Sequence, residues 1–378
     1  MGDLTIPSSI LWRTATEFCT EILNELKEKK ILLFMNESTK QRLLLQGWYD
    51  DLSNLAYLKC VHSIPSNPTY IDLFGILKEC GNEMPEVVVA IGGGSTIDMA
   101  KACVGLMYLT KKESFENTDV LNSIRSKEYL SHKSSIPIYA VPTTAGTGSE
   151  VTRWATVWNR EEKVKYSVEA PWLSPKRAYI IADFTKTMSK RLTLSTGLDA
   201  LCQAVESYWA KSSNQMVKIL SKSAIEVIIN YLPKVLGDLD NLYYREKMCL
   251  GSLFSGLAFA NTRTTACHSI SYPLSIRFGI EHGIACALTL AEVMKINFAA
   301  IEEHAQLMEA LHVNSPDELQ NWIDNLAGDV HKMRLSSFGI QEKDIDELVK
   351  LSFTQGRMDN NPVEITPGNV RKILIDIL

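Results

Sequence analysis

The stretch EVVVAIGGGSTIDMAKA, residues 86–102, decides the fold class. An apolar run, three glycines and a helical pattern follow one another in it, which is typical of a β-strand that enters a helix through a tight turn. EVVVAI is apolar throughout, as expected where helices cover both faces of a parallel sheet. KILLFMN, IPIYAVP and RAYIIAD are similar runs with helical patterns between them. This alternation predicts an α/β domain with a parallel sheet.

The second half of the chain has a different character. After DFTKTMSKRL there are almost no β-type runs, and helical patterns dominate from Gly197 onward. We therefore predict an α/β domain over residues 1–185 and an all-helical domain over residues 186–378. The length of 378 residues suits two domains, each with its own hydrophobic core.

The composition limits the class of partner. A formal net charge of −5 at pH 7 argues against a nucleic-acid binder, which would show a basic face. Eight cysteines without a C-x-x-C pair predict reduced, buried thiols in a cytoplasmic protein. The N-terminal MGDLTIPSSILW lacks a signal-peptide pattern, and no apolar run reaches bilayer length, so we expect no membrane association.

Two loops after core strands have the composition of a dinucleotide site. The glycine turn before Ser95 and Asp98 lets the backbone approach a ligand, and a helix N-terminus favours a pyrophosphate. In VPTTAGTGSEVT, residues 141–152, small hydroxyls alternate with glycines. Each loop alone also fits an ordinary turn or a polar surface loop. Two of them after two core strands favour a shared ligand.

The helical half carries candidate metal ligands. In GLDALCQAVESYWA, residues 197–210, Asp199 and Gln203 lie one turn apart on one helix face. His268 and His282 stand in CHSISYPLSIRFGIEHGIACALTL, where a turn between them lets both face one point. Two oxygens and two imidazoles suit a divalent metal. Each histidine alone is more often a core residue, and the simplest interpretation of Glu206 is a solvated helix charge.

These motifs resemble those of the iron-containing (group III) alcohol dehydrogenase family. The resemblance rests on GGGSTIDMAK, PTTAGTGSE, GLDALCQAVE, HSISYPL with EHG, and NNPVEIT, in the family's order and approximate spacing, and it covers nearly the whole chain. It implies a Rossmann-like domain for NAD(H) or NADP(H), followed by a helical domain, as in dehydroquinate synthase-like folds. It also implies a catalytic divalent metal, Fe²⁺ or Zn²⁺.

The resemblance assigns the metal ligands with one departure. The family's aspartate and its last two histidine ligands fall on Asp199, His268 and His282. Its remaining histidine ligand falls on Gln203, whose amide oxygen is less basic than imidazole and lowers the metal affinity or shifts the metal preference. A further family histidine is replaced by Tyr272, whose phenol can serve as the proton donor.

The cofactor positions follow the family more closely. The pyrophosphate turn falls on Gly93, Gly94, Ser95 and Asp98. The neighbouring loop and a lysine near the cofactor fall on Thr143, Thr144, Thr147, Ser149 and Lys165. The aspartate that many members place on the adenosine ribose falls on Asn36, which does not repel a 2′-phosphate. Glu37 beside it restores part of that repulsion, so the choice between NADH and NADPH stays open.

Three arginines suggest the substrate. Arg153, Arg263 and Arg277 stand near the expected site, and guanidinium groups suit phosphate-like anions, although each alone is more typical of a surface ion pair. TRTTACHSISYPL and VTRWATVW resemble the subgroup that reduces phosphonoacetaldehyde to 2-hydroxyethylphosphonate in phosphonate biosynthesis. We therefore expect a small anionic aldehyde or alcohol as substrate, with these arginines and Tyr272 as catalytic residues. Whether the protein forms a homodimer is left open.

Other functions on this scaffold remain alternatives. One is a general short-chain alcohol or polyol dehydrogenase of the same family, and another is a non-redox lyase. A third is a non-catalytic module with a degenerate metal site, which Gln203 and Tyr272 keep open. Aldehyde-dependent oxidation of NAD(P)H in the presence of metal separates the first from the other two.

Overall fold

Six parallel strands form the central sheet of the computed structural model, which describes residues 3–45, 47, 50, 55 and 58–378. Their spatial order is β1-β8-β5-β4-β2-β3, and every neighbouring pair is parallel. The strands are β1 (Ser9–Trp12), β2 (Ile31–Phe34), β3 (Leu58–Val61), β4 (Val87–Gly92), β5 (Ile138–Pro142) and β8 (Arg177–Ile180).

Helices cover both faces of this sheet. Along β4, Val88 and Ala90 belong to one hydrophobic core, whereas Val87, Val89 and Ile91 belong to the other. Because successive strand residues point to opposite faces, a strand buried on both sides must be apolar throughout. The predicted parallel α/β sheet is confirmed. Its helices are α1 (Ala15–Leu26), α2 (Glu37–Leu45), α3 (Tyr70–Cys80), α4 (Gly94–Leu106) and α5 (Asn117–Ser126).

An antiparallel hairpin interrupts the parallel order. It consists of β6 (Trp154–Asn159) and β7 (Val164–Glu169), which pair along their whole length. This hairpin, which follows Arg153 and contains Lys165, was not predicted from the sequence. Burial along β7 does not alternate strictly, because Val164 and Val168 lie on the same face and only Val168 is buried, so the segment has a weak strand pattern.

The second half is helical throughout the part of it that the structure describes, as predicted. Helix α6 (Lys190–Trp209) carries the GLDALCQAVE motif, and nearly all of its residues from Thr193 onward are buried. The other helices are α7 (Gln215–Gly237), α8 (Leu242–Thr262), α9 (Ala266–Phe278), α10 (His282–Asn297), α11 (His304–Leu311), α12 (Pro316–Ala327), α13 (Ile345–Leu351) and α14 (Pro367–Asp376).

The chain divides into two compact units. One comprises Ile6–Thr144 and Ser149–Thr187, and it contains the sheet. The other comprises Met188–Leu378 together with the segment that ends at Thr5 and with Ala145–Gly148. The predicted boundary lies between residues 185 and 186. The two short segments that join the helical unit come from the first half of the chain, and no feature of their composition indicates it.

One helical stretch, His282–Ala300, is long and apolar enough to cross a membrane by length and composition alone. Two-thirds of it, 67%, is buried inside the protein. Burial among other helices accounts for its apolar character, because a core helix needs apolar residues on every side. The apolar stretch His282–Ala300 is therefore weak evidence for membrane insertion.

Candidate metal and cofactor sites

Helix α6 buries three polar side chains within the helical unit. Asp199, Gln203 and Glu206 are 3%, 4% and 0% exposed. The helix begins at a capped residue, because the backbone N–H of Leu192 donates to Ser189 Oγ at 3.2 Å. Burying a carboxylate costs free energy unless it is paired or hydrogen-bonded, so two of them on one buried helix indicate specific partners nearby.

The structure brings Asp199, His268 and His282 together. Asp199 Oδ1 lies 3.3 Å from His268 Nε2 and 3.8 Å from His282 Nε2. Cys286, one turn after His282 on α10, joins them, with its Sγ 3.9 Å from His282 Nε2. One ligand atom from each of the four residues lies within 4.8 Å of the others. The cluster therefore combines one oxygen, two imidazole nitrogens and one sulfur.

The donors of this cluster fit a divalent cation. Asp199 Oδ1 and His268 Nε2 are buried, and neither has a hydrogen-bond partner among the described residues. Burying two polar atoms that face each other without hydrogen bonds costs free energy unless a third group bonds to both of them. Oxygen, nitrogen and sulfur ligands in this number are typical of Zn²⁺ and related transition-metal ions. A metal bound at this point would satisfy both orphaned atoms.

Glu206 holds His268 in place. The His268 Nδ1–H donates to Glu206 Oε2. The second oxygen, Oε1, accepts from the Thr265 N–H at 3.0 Å, the Thr265 hydroxyl at 2.7 Å and the Cys267 N–H at 2.8 Å. A proton fixed on Nδ1 leaves the Nε2 lone pair facing Asp199, which is the usual way in which proteins orient a metal-ligating histidine.

The charge on Glu206 follows from these contacts. Burial alone raises the pKa of its carboxyl, but the electrostatic effect of the adjacent His268 and the hydrogen bonds from His268 and Thr265 outweigh burial and lower that pKa. Interpreting Glu206 as a solvated helix charge is therefore wrong, because its side chain is fully buried. Its position seven residues after Asp199, on the same face of a helix of apolar residues, is the signal that indicates this role.

The glycine of the EHG motif sets the position of His282. A Cβ built on Gly283 would lie 1.8 Å from the carbonyl oxygen of Ser195 and 2.9 Å from the backbone nitrogen of Asp199. Only glycine lets the start of α10 approach the backbone of α6 this closely. This contact brings His282 beside Asp199, a function of Gly283 that the sequence analysis did not assign.

Gln203 and Tyr272 lie close to members of this cluster. Gln203 is one turn after Asp199, and its Oε1 lies 3.4 Å from the Ser255 hydroxyl, which donates to the Ala200 carbonyl at 2.7 Å. Tyr272 is 5% exposed, and its ring stacks on the His282 ring at a centroid distance of 5.9 Å and an interplanar angle of 10°. The structure therefore places both residues beside expected ligands.

The three arginines have different surroundings. Arg153 is on the surface, and its Nε lies 3.0 Å from Glu169 Oε1 across the hairpin. Arg277 forms an ion pair with Glu347. Arg263 ends α8 with a left-handed φ of 66°, a conformation that side-chain-bearing residues rarely adopt. Two of the three guanidinium groups are thus paired with carboxylates, as in ordinary structural ion pairs.

The glycine turn of the α/β unit forms a helix N-terminus. Gly93 is the N-cap of α4, and its carbonyl accepts from the Thr96 N–H at 3.0 Å. Gly94 is the first residue of that helix. A Cβ on Gly93 would lie 3.4 Å from the Thr144 side chain, so the two predicted cofactor loops meet here. Free N–H groups at such a turn suit a phosphate.

Asp98 and Ser149 bind each other through a network around a buried lysine. The Ser149 hydroxyl donates to Asp98 Oδ1, and the Thr156 N–H donates to Asp98 Oδ2 at 2.8 Å. Lys101, fully buried, donates to Ser149 Oγ at 3.0 Å and to the Trp154 carbonyl at 3.1 Å. The network links α4 to the loop that follows β5. This role of Lys101 was not predicted from the sequence, because its hydrogen-bond partners lie about 50 residues further along the chain.

Burial shifts the pKa of Lys101. It lowers the pKa of the ammonium group to about 8, although the nearby Asp98 and Glu150 act in the opposite direction. Burial likewise raises the pKa of Glu150 to about 7, against the opposing effects of a backbone hydrogen bond and of Lys101. Both groups are fully buried in the α/β unit.

The remaining predicted cofactor residues lie in several places. Asn36 Oδ1 accepts from the Thr39 N–H at 2.8 Å and so caps α2. Lys165 is on β7, with its Nζ 5.8 Å from the Trp158 ring.

The residues of the two glycine-containing loops have other partners. Ser95 Oγ accepts from the Asn67 N–H at 3.4 Å. Thr147 belongs to the short segment that joins the helical unit. Thr143 donates its N–H to the Gly92 carbonyl at 3.0 Å.

Comparison with known proteins gives consistent matches along most of the chain. The family description "Iron-containing alcohol dehydrogenase" matches residues 7–182, and "Fe-containing alcohol dehydrogenase family, C-terminal" matches residues 193–378. The chain is 28% identical to the NADPH-dependent butanol dehydrogenase of Clostridium saccharobutylicum, over 99% of this chain and 97% of that protein. It is 32% identical to the phosphonoacetaldehyde reductase of Streptomyces viridochromogenes, over 63% and 60%.

A solved structure is similar over its full length. The sulfoacetaldehyde reductase of Bifidobacterium kashiwanohense, determined in complex with NAD⁺, superposes with a TM-score of 0.85 at 27% identity. The superposition covers 100% of this chain and 98% of the other. The similarity therefore extends through both compact units.

Proposed function

Because the chain belongs to the iron-containing alcohol dehydrogenase family, an NAD(P)-dependent and metal-dependent class of oxidoreductase, we propose that it reduces phosphonoacetaldehyde to 2-hydroxyethylphosphonate. The balanced reaction consumes one aldehyde, one NAD(P)H and one proton, and it yields one alcohol and one NAD(P)⁺. On this proposal the enzyme works in the cytoplasm in phosphonate biosynthesis, in agreement with eight cysteines that are all free thiols.

One observation supports the proposed dehydrogenase chemistry most directly. Asp199, His268 and His282, which are far apart in the sequence, converge with two orphaned polar atoms facing each other. Such an arrangement is costly without a cation and favourable with one. A bound divalent metal supplies Lewis-acid polarisation of the substrate carbonyl, and the nicotinamide supplies the hydride.

The side chains of the protein hold and orient these groups. We assign Asp199, His268 and His282 as residues that would hold the metal, and Gln203, one turn after Asp199, stands at the position of the family's remaining histidine ligand. Glu206 keeps the proton of His268 on Nδ1, so that the lone pair on Nε2 faces the site. The Tyr272 hydroxyl, on a ring stacked against His282, is assigned as the proton donor to the product oxygen.

Except for Thr147, which belongs to the helical unit, the residues assigned to the cofactor lie in the α/β unit. The N-terminus of α4 is assigned to the pyrophosphate, beside the threonine loop. Asp98 and Ser149 are assigned as residues that shape this loop through Lys101. The proposed residues are Asn36, Gly93, Gly94, Ser95, Asp98, Thr143, Thr144, Thr147, Ser149 and Lys165.

The anionic substrate is supported by two of the relatives. Their names denote two-carbon aldehydes that carry a phosphonate or a sulfonate group. Arg153, Arg263 and Arg277 are assigned to the anion, since guanidinium groups bind tetrahedral oxyanions well.

The ion pairs of Arg153 and Arg277 favour a second candidate, a general short-chain alcohol dehydrogenase, because these charges already have partners. The match to a butanol dehydrogenase over 99% of this chain supports the same candidate.

The test is a comparison of kcat/KM for phosphonoacetaldehyde and for propanal, each measured with NADH and with NADPH in the presence of added metal. The proposal predicts a much higher value for phosphonoacetaldehyde. Equal values would favour the general alcohol dehydrogenase. Absence of aldehyde-dependent NAD(P)H oxidation would favour the non-redox lyase or a non-catalytic role.

A further inference from the structure

We infer that Cys286 is a metal ligand, and that its sulfur, rather than the amide of Gln203, completes a four-ligand set with Asp199, His268 and His282. The inference rests on the metal site of the proposed function and specifies its composition. The resemblance to the family implies one aspartate and three histidines at this site. Here the number of ligands is preserved, but one imidazole is replaced by a thiolate.

The position of Cys286 follows from the helix that carries it. His282 and Cys286 are four residues apart on α10, so their side chains lie on one face, one turn apart. Gly283 between them lets this face approach α6 closely. Cys286 is fully buried, and its sulfur is 3.9 Å from His282 Nε2. The sulfur therefore lies at the same point as the orphaned atoms of Asp199 and His268.

The distances are those of a ligand set around one ion. Tetrahedral zinc, with bonds of about 2.0 Å to nitrogen or oxygen and about 2.3 Å to sulfur, holds its ligand atoms roughly 3.3 to 3.6 Å apart. The observed separations are 3.3, 3.8 and 3.9 Å. All four ligand atoms lie within 4.8 Å of one another. Small adjustments of these four side chains would bring all four ligand atoms to bonding distance.

Gln203 is the weaker candidate for the fourth position. Its Oε1 lies 3.4 Å from the Ser255 hydroxyl oxygen within the buried face of α6, and that hydroxyl donates its single proton to the Ala200 carbonyl at 2.7 Å. A neutral amide oxygen is also a poorer ligand for a transition-metal ion than a thiolate. A soft sulfur ligand favours Zn²⁺ over Fe²⁺, so this chain is expected to retain zinc when both metals are offered at equal concentration.

Cobalt substitution tests the ligand directly, because a Co²⁺–thiolate bond gives a charge-transfer absorption in the near ultraviolet that oxygen and nitrogen ligands do not give. The full-length protein is stripped of metal and loaded with Co²⁺. We expect the band in the wild type, its loss in Cys286→Ser, and its retention in Gln203→Ala. Cys202→Ser is the matched control, since Cys202 is also fully buried but lies on α6 outside the ligand set.

X-ray absorption on the zinc-loaded wild type needs no variant and covers the case in which Cys286→Ser fails to fold. One sulfur scatterer at about 2.3 Å is expected beside nitrogen and oxygen at about 2.0 Å. Bound cobalt without the band, or a zinc shell without sulfur, would overturn the inference and leave the metal site of the proposed function intact. A wild type that binds neither ion would overturn both.

Discussion

The carbonyl oxygen of Ser195 occupies the space that a side chain at residue 283 would need, because a Cβ on Gly283 would lie 1.8 Å from it. Helices α6 and α10 therefore meet backbone to backbone at this point. The contact lies one residue from His282 and four residues from Asp199, so it sets the separation of these two proposed ligands.

Gly283→Ala is expected to separate the two helices. The added methyl group forces a backbone shift, for which a loss of about 1–3 kcal/mol in the free energy of unfolding is typical. The shift also moves His282 away from Asp199, so the metal content after purification should fall. Urea unfolding and metal analysis measure the two effects. Gly237→Ala, where a Cβ would meet nothing within 4 Å, is the control, and equal behaviour of the two variants would contradict this account.

Glu206→Gln is expected to lower metal affinity without removing a proposed ligand. The amide keeps the shape of the carboxyl but loses the charge that holds the proton of His268 on Nδ1. Loss of such a supporting carboxylate typically lowers metal affinity by roughly 10- to 100-fold. Competition with a chelator measures the affinity. The exposed Glu309→Gln is the control, and an unchanged affinity in Glu206→Gln would show that Glu206 does not orient His268.

Arg153→Ala is expected to raise KM for phosphonoacetaldehyde far more than for propanal. Loss of a charge-assisted hydrogen bond of about 1.5–3 kcal/mol corresponds to roughly a tenfold effect or more on the anionic substrate. Steady-state kinetics with both aldehydes measure the difference. Arg160→Ala, on the loop of the same hairpin, is the control. Equal effects on the two substrates would leave Arg153 as only the ion-pair partner of Glu169.

Lys101→Met is expected to change how stability depends on pH. Burial lowers the pKa of Lys101 to about 8 in the folded chain, against 10.5 as its ordinary value. Between these values the unfolded chain binds the proton more tightly, so the contribution of this lysine to stability rises with pH. The slope is at most about 1.4 kcal/mol per pH unit. The stability of the wild type relative to Lys101→Met should therefore grow between pH 8 and pH 10.

Urea unfolding at several pH values measures this difference, with the exposed Lys133→Met as the control. The variant should also be less stable at pH 7.5, because the Ser149 hydroxyl and the Trp154 carbonyl lose a buried donor. A difference from the wild type that does not vary with pH would contradict the lowered pKa.

The sequence predicts the sheet well, because strands buried on two faces leave an apolar run such as EVVVAI that few other structures produce. It also predicts, through motifs that resemble a known family, that Asp199, His268 and His282 lie close together. It does not predict Glu206, Gly283 or Cys286. A charge on a helix and a glycine each have an ordinary interpretation that the three-dimensional contacts of Glu206 and Gly283 exclude, and the role of the Cys286 thiol is inferred from its neighbours in space.

The hairpin and Lys101 were missed for a related reason. Buried and exposed residues alternate only weakly over residues 154–169, and the tryptophans of β6 resemble those of any core segment. Lys101 has the composition of a surface residue, and its burial depends on the loop that follows β5, far away in the sequence. Long-range contacts of this kind leave no local pattern.

The most direct test of the central claim is to measure metal content and NAD(P)H oxidation together in wild type and in His268→Ala, with the exposed His304→Ala as control. We predict about one metal ion per wild-type chain and phosphonoacetaldehyde-dependent oxidation of NAD(P)H. We also predict that His268→Ala binds NAD(P)H with unchanged Kd but loses both metal and turnover. Full turnover and full metal content in His268→Ala would contradict the assignment of this cluster as the catalytic metal site.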